Sequence, residues 1–218
     1  MCILCSGDPV EDDVRKNNPG TFHVGMMHAP GADPLCCLSS CLCPCCAQVI
    51  IRRKALNYDM SNYTCCQGYM DGVVPCVRSG SCGESNCPNC CLCLESFCCN
   101  GCAVSATRML VMDRYRLQPD KWDNRIIRCN NCIQLVSCVC SLLSICISEL
   151  GDLADLMYCI AQCTYATTQG CMTAQQYRLQ AFHDYDVVDI FCLNFALNAL
   201  IVHFVLLRKC GKDYKKLL

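Results

Sequence analysis

Hydrophobic and polar positions follow three regimes along the chain. In the C-terminal half, uncharged stretches of helical length alternate with charged breaks. Cys129 to Ser148 is 20 residues without a charge, Leu156 to Tyr177 is uncharged throughout, and Ile190 to Leu207 adds 18 more. Ahead of them, Ala103 to Leu117 is built from good helix formers, and Gln118-Pro119-Asp120 breaks it. Asp123 is placed to cap a long helix beginning Asn124-Arg125-Ile126. Gly151 interrupts the next stretch, with Asp152 or Asp155 available to restart it. The middle regime shows neither helical period nor strand alternation, apart from a short helix expected over Ala47 to Leu56. The first regime, 1–34, is rich in turn signals (Asn17-Asn18-Pro19-Gly20, Ala29-Pro30-Gly31, Asp33-Pro34) and reads as an extended arm.

Long uncharged stretches invite a membrane reading. Polar side chains count against it in the first two: Asn130, Asn131, Gln134, Ser137, Ser141 and Ser144 in one, Gln162, Thr164, Thr167, Thr168 and Gln169 in the other. Helices packed on each other tolerate such groups better than lipid does. The third stretch is more apolar and is followed by Arg208, Lys209, Lys212, Lys215 and Lys216. It carries the membrane alternative, although Asn194, Asn198 and His203 recur in it.

The aperiodic middle is where the cysteines gather. The chain has 29, and 17 of them lie between residues 35 and 102. These are Cys36, Cys37, Cys41, Cys43, Cys45, Cys46, Cys65, Cys66, Cys76, Cys82, Cys87, Cys90, Cys91, Cys93, Cys98, Cys99 and Cys102. At 218 residues the chain is long enough to bury a core without crosslinks. No basic n-region or apolar h-region is evident at the start, where Glu11, Asp12 and Asp13 follow Cys2 and Cys5. The expectation is therefore a cytoplasmic protein, in which dense thiols read as metal ligands. An odd cysteine count also rules out complete internal pairing. Zinc or another thiophilic metal is the first reading, disulfides the second and free thiols the third.

Spacing supports metal. Zinc takes four ligands in a tetrahedron, and two cysteines two residues apart can reach one ion. Such pairs are Cys43 with Cys46, Cys87 with Cys90, Cys90 with Cys93, Cys99 with Cys102, and Cys129 with Cys132. Because Cys90 belongs to two pairs, ligand sets stay unassigned; two or three zinc ions are expected. The ferredoxin order of an iron–sulfur protein is absent. Cys132, Cys138, Cys140, Cys146, Cys159, Cys163, Cys171 and Cys192 sit among apolar residues and read as core. Arg52-Arg53-Lys54 reads first as a solvated helix face and second as a basic patch.

Catalysis finds little support. Four histidines are scattered, and there is no phosphate-cradling glycine loop, no Gly-x-Ser-x-Gly elbow and no His-Glu-x-x-His. Asp184, Asp186 and Asp189 near His183 suit a helix start. A net charge of −1 gives no general pull toward nucleic acid.

Cys36-Cys37, then Cys41-Leu42-Cys43-Pro44-Cys45-Cys46-Ala47-Gln48, with the later cysteine block, resembles the placenta-specific-8 cysteine-rich family. Val111-Met112-Asp113-Arg114-Tyr115, Pro119-Asp120, Asp123 to Arg128 and Asn131 to Leu135 resemble its plant and protist branch, so the likeness runs from about Leu35 to Cys171. It implies a small cysteine-rich protein, often membrane-associated, tied loosely to cell size, metal resistance or calcium handling, with no enzyme mechanism. The second cysteine block departs from the usual family motif.

The expected fold is mainly α, with a cysteine-rich, metal-stapled irregular knot and little regular β. Its parts are the arm (1–34), the knot (35–102), a helical region packed on the knot (103–185) and an apolar C-terminal helix with a basic tail (186–218). The expected role is a non-enzymatic, zinc-stabilised structural or interaction protein in a large intracellular assembly, cytoskeletal or flagellar (ciliary) at a guess. It would bind other proteins through the arm and the C-terminal helix. The alternative is a membrane-associated protein of metal handling or ion transport, anchored through 190–207.

Overall fold

Proline directly after a capping residue starts three successive helices. Its fixed φ suits the first helical position, and its missing N–H is no loss there. The pairs are Asp33-Pro34, Cys43-Pro44 and Cys87-Pro88. The computed structural model describes residues 7–9, 12–72, 78–81 and 83–183. It is about 75% helical, with seven α-helices and almost no strand. These are α1 (Ala29–Ala32), α2 (Pro34–Leu42), α3 (Pro44–Ala55), α4 (Pro88–Cys98), α5 (Asn100–Arg114), α6 (Lys121–Cys146) and α7 (Gly151–His183). The Cys2/Cys5 pair, Cys76, Cys82, the acidic group beyond His183 and the C-terminal helix with its tail lie outside the described residues.

The mainly α expectation holds, but the cysteine-rich stretch is less irregular than its pattern suggests. Both blocks are helical, broken once each, at Cys43 between α2 and α3 and at Cys99 between α4 and α5. The period was masked because both faces of these helices carry cysteine, and cysteine serves buried and exposed positions alike. Helix α5 also runs through the boundary expected at residue 102.

Helix α7 organises the rest. It packs on α1, α2, α3, α5 and α6, and every residue from Thr168 to Tyr177 is buried. The main core joins Cys36 and Cys37 of α2, Ile51 of α3, Val104 of α5, and Met172, Ala174 and Tyr177 of α7. Gly170 permits this packing: a Cβ there would overlap the Cys41 Sγ and lie 3.2 Å from the Cys37 carbonyl oxygen.

Helix α6 is capped by Asp120, which accepts from the backbone N–H of Trp122 and Asp123 at 2.8 and 3.1 Å. Asp123, expected at the cap, is instead buried. It pairs with Arg108 of α5 at 2.8 Å, and Gln175 of α7 bonds both partners of that pair. A cap must face the solvent end of a helix, whereas this carboxylate faces inward, where Arg108 compensates it. Helices α6 and α7 then form a long hairpin. Buried Asn130 and Ser137 on one arm and Ala154, Ala161 and Thr168 on the other recur every seven residues, a seam of small or polar side chains.

The described part of the arm lies on its own chain. Gly20 forms a parallel bridge with Leu117, Arg15 grips Asp113 through two bonds of 2.6 and 2.8 Å, and Met26 N–H donates to Asp123 at 3.0 Å. The stretch read as an extended arm that binds other proteins is thus tied, in its described part, to α5, α6 and the turn between them.

Candidate metal centre

The sequence-predicted cysteines fall into three spatial groups. The first lies where α3 meets α4. Cys43 caps α3 and Cys46 follows at the third helical position, their sulfurs 3.0 Å apart. Cys87 and Cys90 hold the same two positions on α4, and their thiols are hydrogen-bonded. Cys93, one turn further, lies beside both Cys90 and Cys46. Cys45, Cys46, Cys90 and Cys93 line one cavity of about 610 Å³, with Val49, Leu94 and Phe97 as its apolar wall. Burial and the neighbouring thiols of Cys43, Cys45 and Cys93 push Cys46 up to about 12. Crowded thiols resist becoming thiolates together unless a cation arrives to compensate them.

The second group surrounds Glu95, where ligand atoms of Cys65, Cys66 and Glu95 lie within 4.8 Å of one another. Cys102, third in α5 after the capping Cys99, is close to Cys66 and Glu95. Glu95 is already well served. Its Oε1 accepts from Arg52 Nη2 at 3.0 Å, and its Oε2 accepts from the Tyr63 hydroxyl and the Cys66 N–H, both at 2.8 Å. Arg52 Nε donates to Thr107 at 2.6 Å and its Nη2 to the Ala103 carbonyl at 2.9 Å. The turn that delivers Cys66 places Cys66 and Gln67 at φ 47 and 49, the left-handed region, held by Thr64 N–H bonding the Gln67 side chain. Burial, then the Glu95 charge, raises the Cys66 thiol. A metal here would have to share a carboxylate that three donors hold.

The third group is Cys37 and Cys41 of α2 with Cys171 of α7. Cys37 is hydrogen-bonded to both others, and burial pushes Cys37 and Cys41 up to about 11. Without a cation to compensate them these thiols are held protonated, and all three pack in or against the main core.

The remaining predicted cysteines among the described residues border these groups, Cys91 beside Cys90 and Cys99 beside Cys102, or lie in the core. Cys36 belongs to the main core, and Cys91 packs against the cluster of Leu56, Tyr63 and Leu92. Cys98 and Cys99 are exposed. No disulfide joins the described cysteines.

Arg52 overturns the reading of Arg52-Arg53-Lys54 as a solvated face. Arg52 and Lys54 are buried, at 0% and 2% exposure, while Arg53 faces solvent. Sequence reasoning also missed Glu95. The available signal was that it is the sole charge between Cys87 and Cys102. Once buried, that carboxylate needs a compensating cation, and Arg52 supplies it.

No family model, curated protein or solved structure matches the chain.

Proposed function

We propose that this chain is a non-enzymatic, metal-stapled helical protein whose thiolates bind zinc and whose surface serves assembly. One observation carries the proposal: three helices begin at a cysteine with a second cysteine three residues on (Cys43/Cys46, Cys87/Cys90 and Cys99/Cys102). Such pairs put two sulfurs on one side of a helix start, the arrangement that a tetrahedral ion uses twice. Two or three zinc ions per chain, a cytoplasmic setting and the resemblance to the placenta-specific-8 cysteine-rich family all belong to this proposal. The test is to measure metal content and reactive thiols together on full-length protein purified without reductant. Two or more zinc ions with few reactive thiols support it. No metal with many disulfides overturns it.

A second reading, membrane association, is favoured by the α6–α7 hairpin rather than by 190–207. Helix α6 has an apolar window of mean hydropathy 1.5, within Lys121–Ile145, and only 11% of that window is buried. Leu135, Val139, Leu142 and Ile145 of α6 and Leu156 and Ile160 of α7 face outward. Five of the polar groups that argued against lipid are served within the hairpin, while the buried Asn130 Oδ1 and Gln169 Oε1 have no partner. Ser141, Ser144, Thr164 and Thr167 bond carbonyls one turn back at 2.8–2.9 Å, and Gln134 bonds the Ala161 carbonyl across the seam at 2.7 Å. That internal satisfaction is what a bilayer requires. The stretch Cys129 to Ile147, at about 1.5 Å per residue, covers a hydrocarbon core of ~30 Å. Glu149, Asp152 and Asp155 would mark the aqueous tip. A membrane-impermeant maleimide checks it on isolated membranes: Cys138 and Cys159 should react only after detergent, while Cys98 reacts before. Equal reactivity at all three sinks the membrane reading.

A further inference from the structure

We infer that Cys43, Cys46, Cys90 and Cys93 together hold one thiophilic d¹⁰ cation, Zn²⁺, and that this ion staples α3 to α4. The inference deepens the metal-stapled reading and rests on it. Among the three thiol groups, only this one brings thiols from α3 and from α4 to one open cleft; its sulfurs are not all within 4.8 Å of one another, so binding would draw the two helix starts together. Cys43 and Cys46 are 3.0 Å apart at the start of α3, and Cys90 and Cys93 are one turn apart on α4. Cys46, Cys90 and Cys93 line the same cavity. Among its lining side chains the one non-sulfur donor is the Asn89 amide, with no carboxylate or imidazole, so the donor set is dominated by sulfur, which selects soft cations over Mg²⁺ or Ca²⁺.

Chain connectivity gives the site a purpose. Helices α3 and α4 are separated by residues 56–87, a stretch that among the described residues holds only short 3₁₀ turns. A shared ion would fix the two helices across that long connection. Cys45, which lines the same cleft, and Cys87, hydrogen-bonded to Cys90, are the competing thiols. On binding, the four thiols lose their protons and the ion takes four Zn–S bonds, with no change of oxidation state. The Glu95 group has its ligand atoms already within 4.8 Å of one another, but its carboxylate is committed to Arg52, Tyr63 and the Cys66 N–H, and Cys37, Cys41 and Cys171 supply three sulfurs in or beside a packed core.

The experiment counts bound ions per full-length chain by native mass spectrometry after reconstitution with Zn²⁺, and repeats the titration with Co²⁺. Three variants are compared with the parent: Cys43→Ser/Cys46→Ser, Cys90→Ser/Cys93→Ser, and all four combined. A shared ion predicts that each pair variant loses one ion and that the fourfold variant still loses only one. If the fourfold variant loses two, the pairs serve separate ions and the inference falls. If no pair variant loses an ion, it falls as well. If the parent binds no Zn²⁺ at all, the metal-stapled reading itself fails, a distinguishable result. Cys93→His guards against misfolding. It should keep the ion while the Co²⁺ absorption moves from an all-sulfur to a mixed sulfur–nitrogen pattern. An unchanged Co²⁺ spectrum would remove Cys93 from the ligand set.

Discussion

Glu95 and Arg52 decide the local structure of the cysteine-rich region more than any single thiol does. Their side chains are 2% and 0% exposed and meet at 3.0 Å. Removing one partner of such a pair leaves the other charge buried and uncompensated. Glu95→Gln should therefore cost about 3–5 kcal/mol of unfolding free energy, read as a lower urea midpoint. A change under 1 kcal/mol would mean that Arg52 finds another acceptor. Gly170 is the second decisive residue. Glycine inside a helix usually costs about 1 kcal/mol relative to alanine, so Gly170→Ala would stabilise an open position. Here the added methyl would meet Cys41 and the α2 backbone, so the variant should melt lower than the parent in a thermal scan. Neither role was legible from residue type: a carboxylate among thiols reads as a ligand, and a glycine in an uncharged stretch reads as neutral.

At the scale of elements, the long helices were readable but their starts and faces were not. Proline after Asp33, Cys43 and Cys87 reads in sequence as a turn or irregular chain, yet each opens a helix, whereas Pro119 beyond α5 marks a break in either reading. Faces depend on what packs opposite. Arg52 and Lys54 look like solvent-facing charge until α3 is enclosed by α4, α5 and α7. The arm makes the same point. Its turn residues promise irregular chain, but only the fold brings Arg15 to Asp113. Burial works against ionisation of that carboxyl, yet bonds from Arg15 and Tyr69 hold it below its ordinary value of 3.8. A depressed carboxyl contributes stability above its unfolded value and loses it as pH falls through the lower folded value. Arm docking should thus weaken as pH drops below about 4. Hydrogen exchange at the Gly20 and Gln118 amides checks this: their protection should decline in that range, and Arg15→Met should abolish the pH dependence.

For the whole molecule, the proposed metals and the packed core should each supply part of the stability. Zinc that binds only the folded chain adds about 4 kcal/mol at a thousandfold excess over Kd. In a chain of this size that corresponds to roughly 8–16 °C in Tm. Chelation should lower Tm by that order while helical circular dichroism at room temperature largely persists, because the α7-centred core is held by packed side chains away from the proposed α3–α4 site. Complete unfolding on chelation would mean that the thiol sites nucleate the whole fold. An unchanged Tm would count against the stapled reading.

The sequence by itself determined that the chain is mainly helical, that a break follows at Gln118-Pro119-Asp120, and that cysteines recur at the spacing of zinc pairs. Those properties follow from local chemistry: proline geometry, helix propensity and the short reach between cysteines two residues apart. Tertiary structure decided the rest. It separated the cysteines into an α3–α4 cluster, a group around Glu95 and a packed set against α7, because sulfur looks the same in sequence whether it faces a core, a carboxylate or another thiol. It turned Arg52 inward and Asp123 away from the cap, because only the enclosing helices supply partners for buried charge. It also left the far half of the α6–α7 hairpin apolar and outward-facing, since burial is a property of neighbours rather than of a stretch of residues.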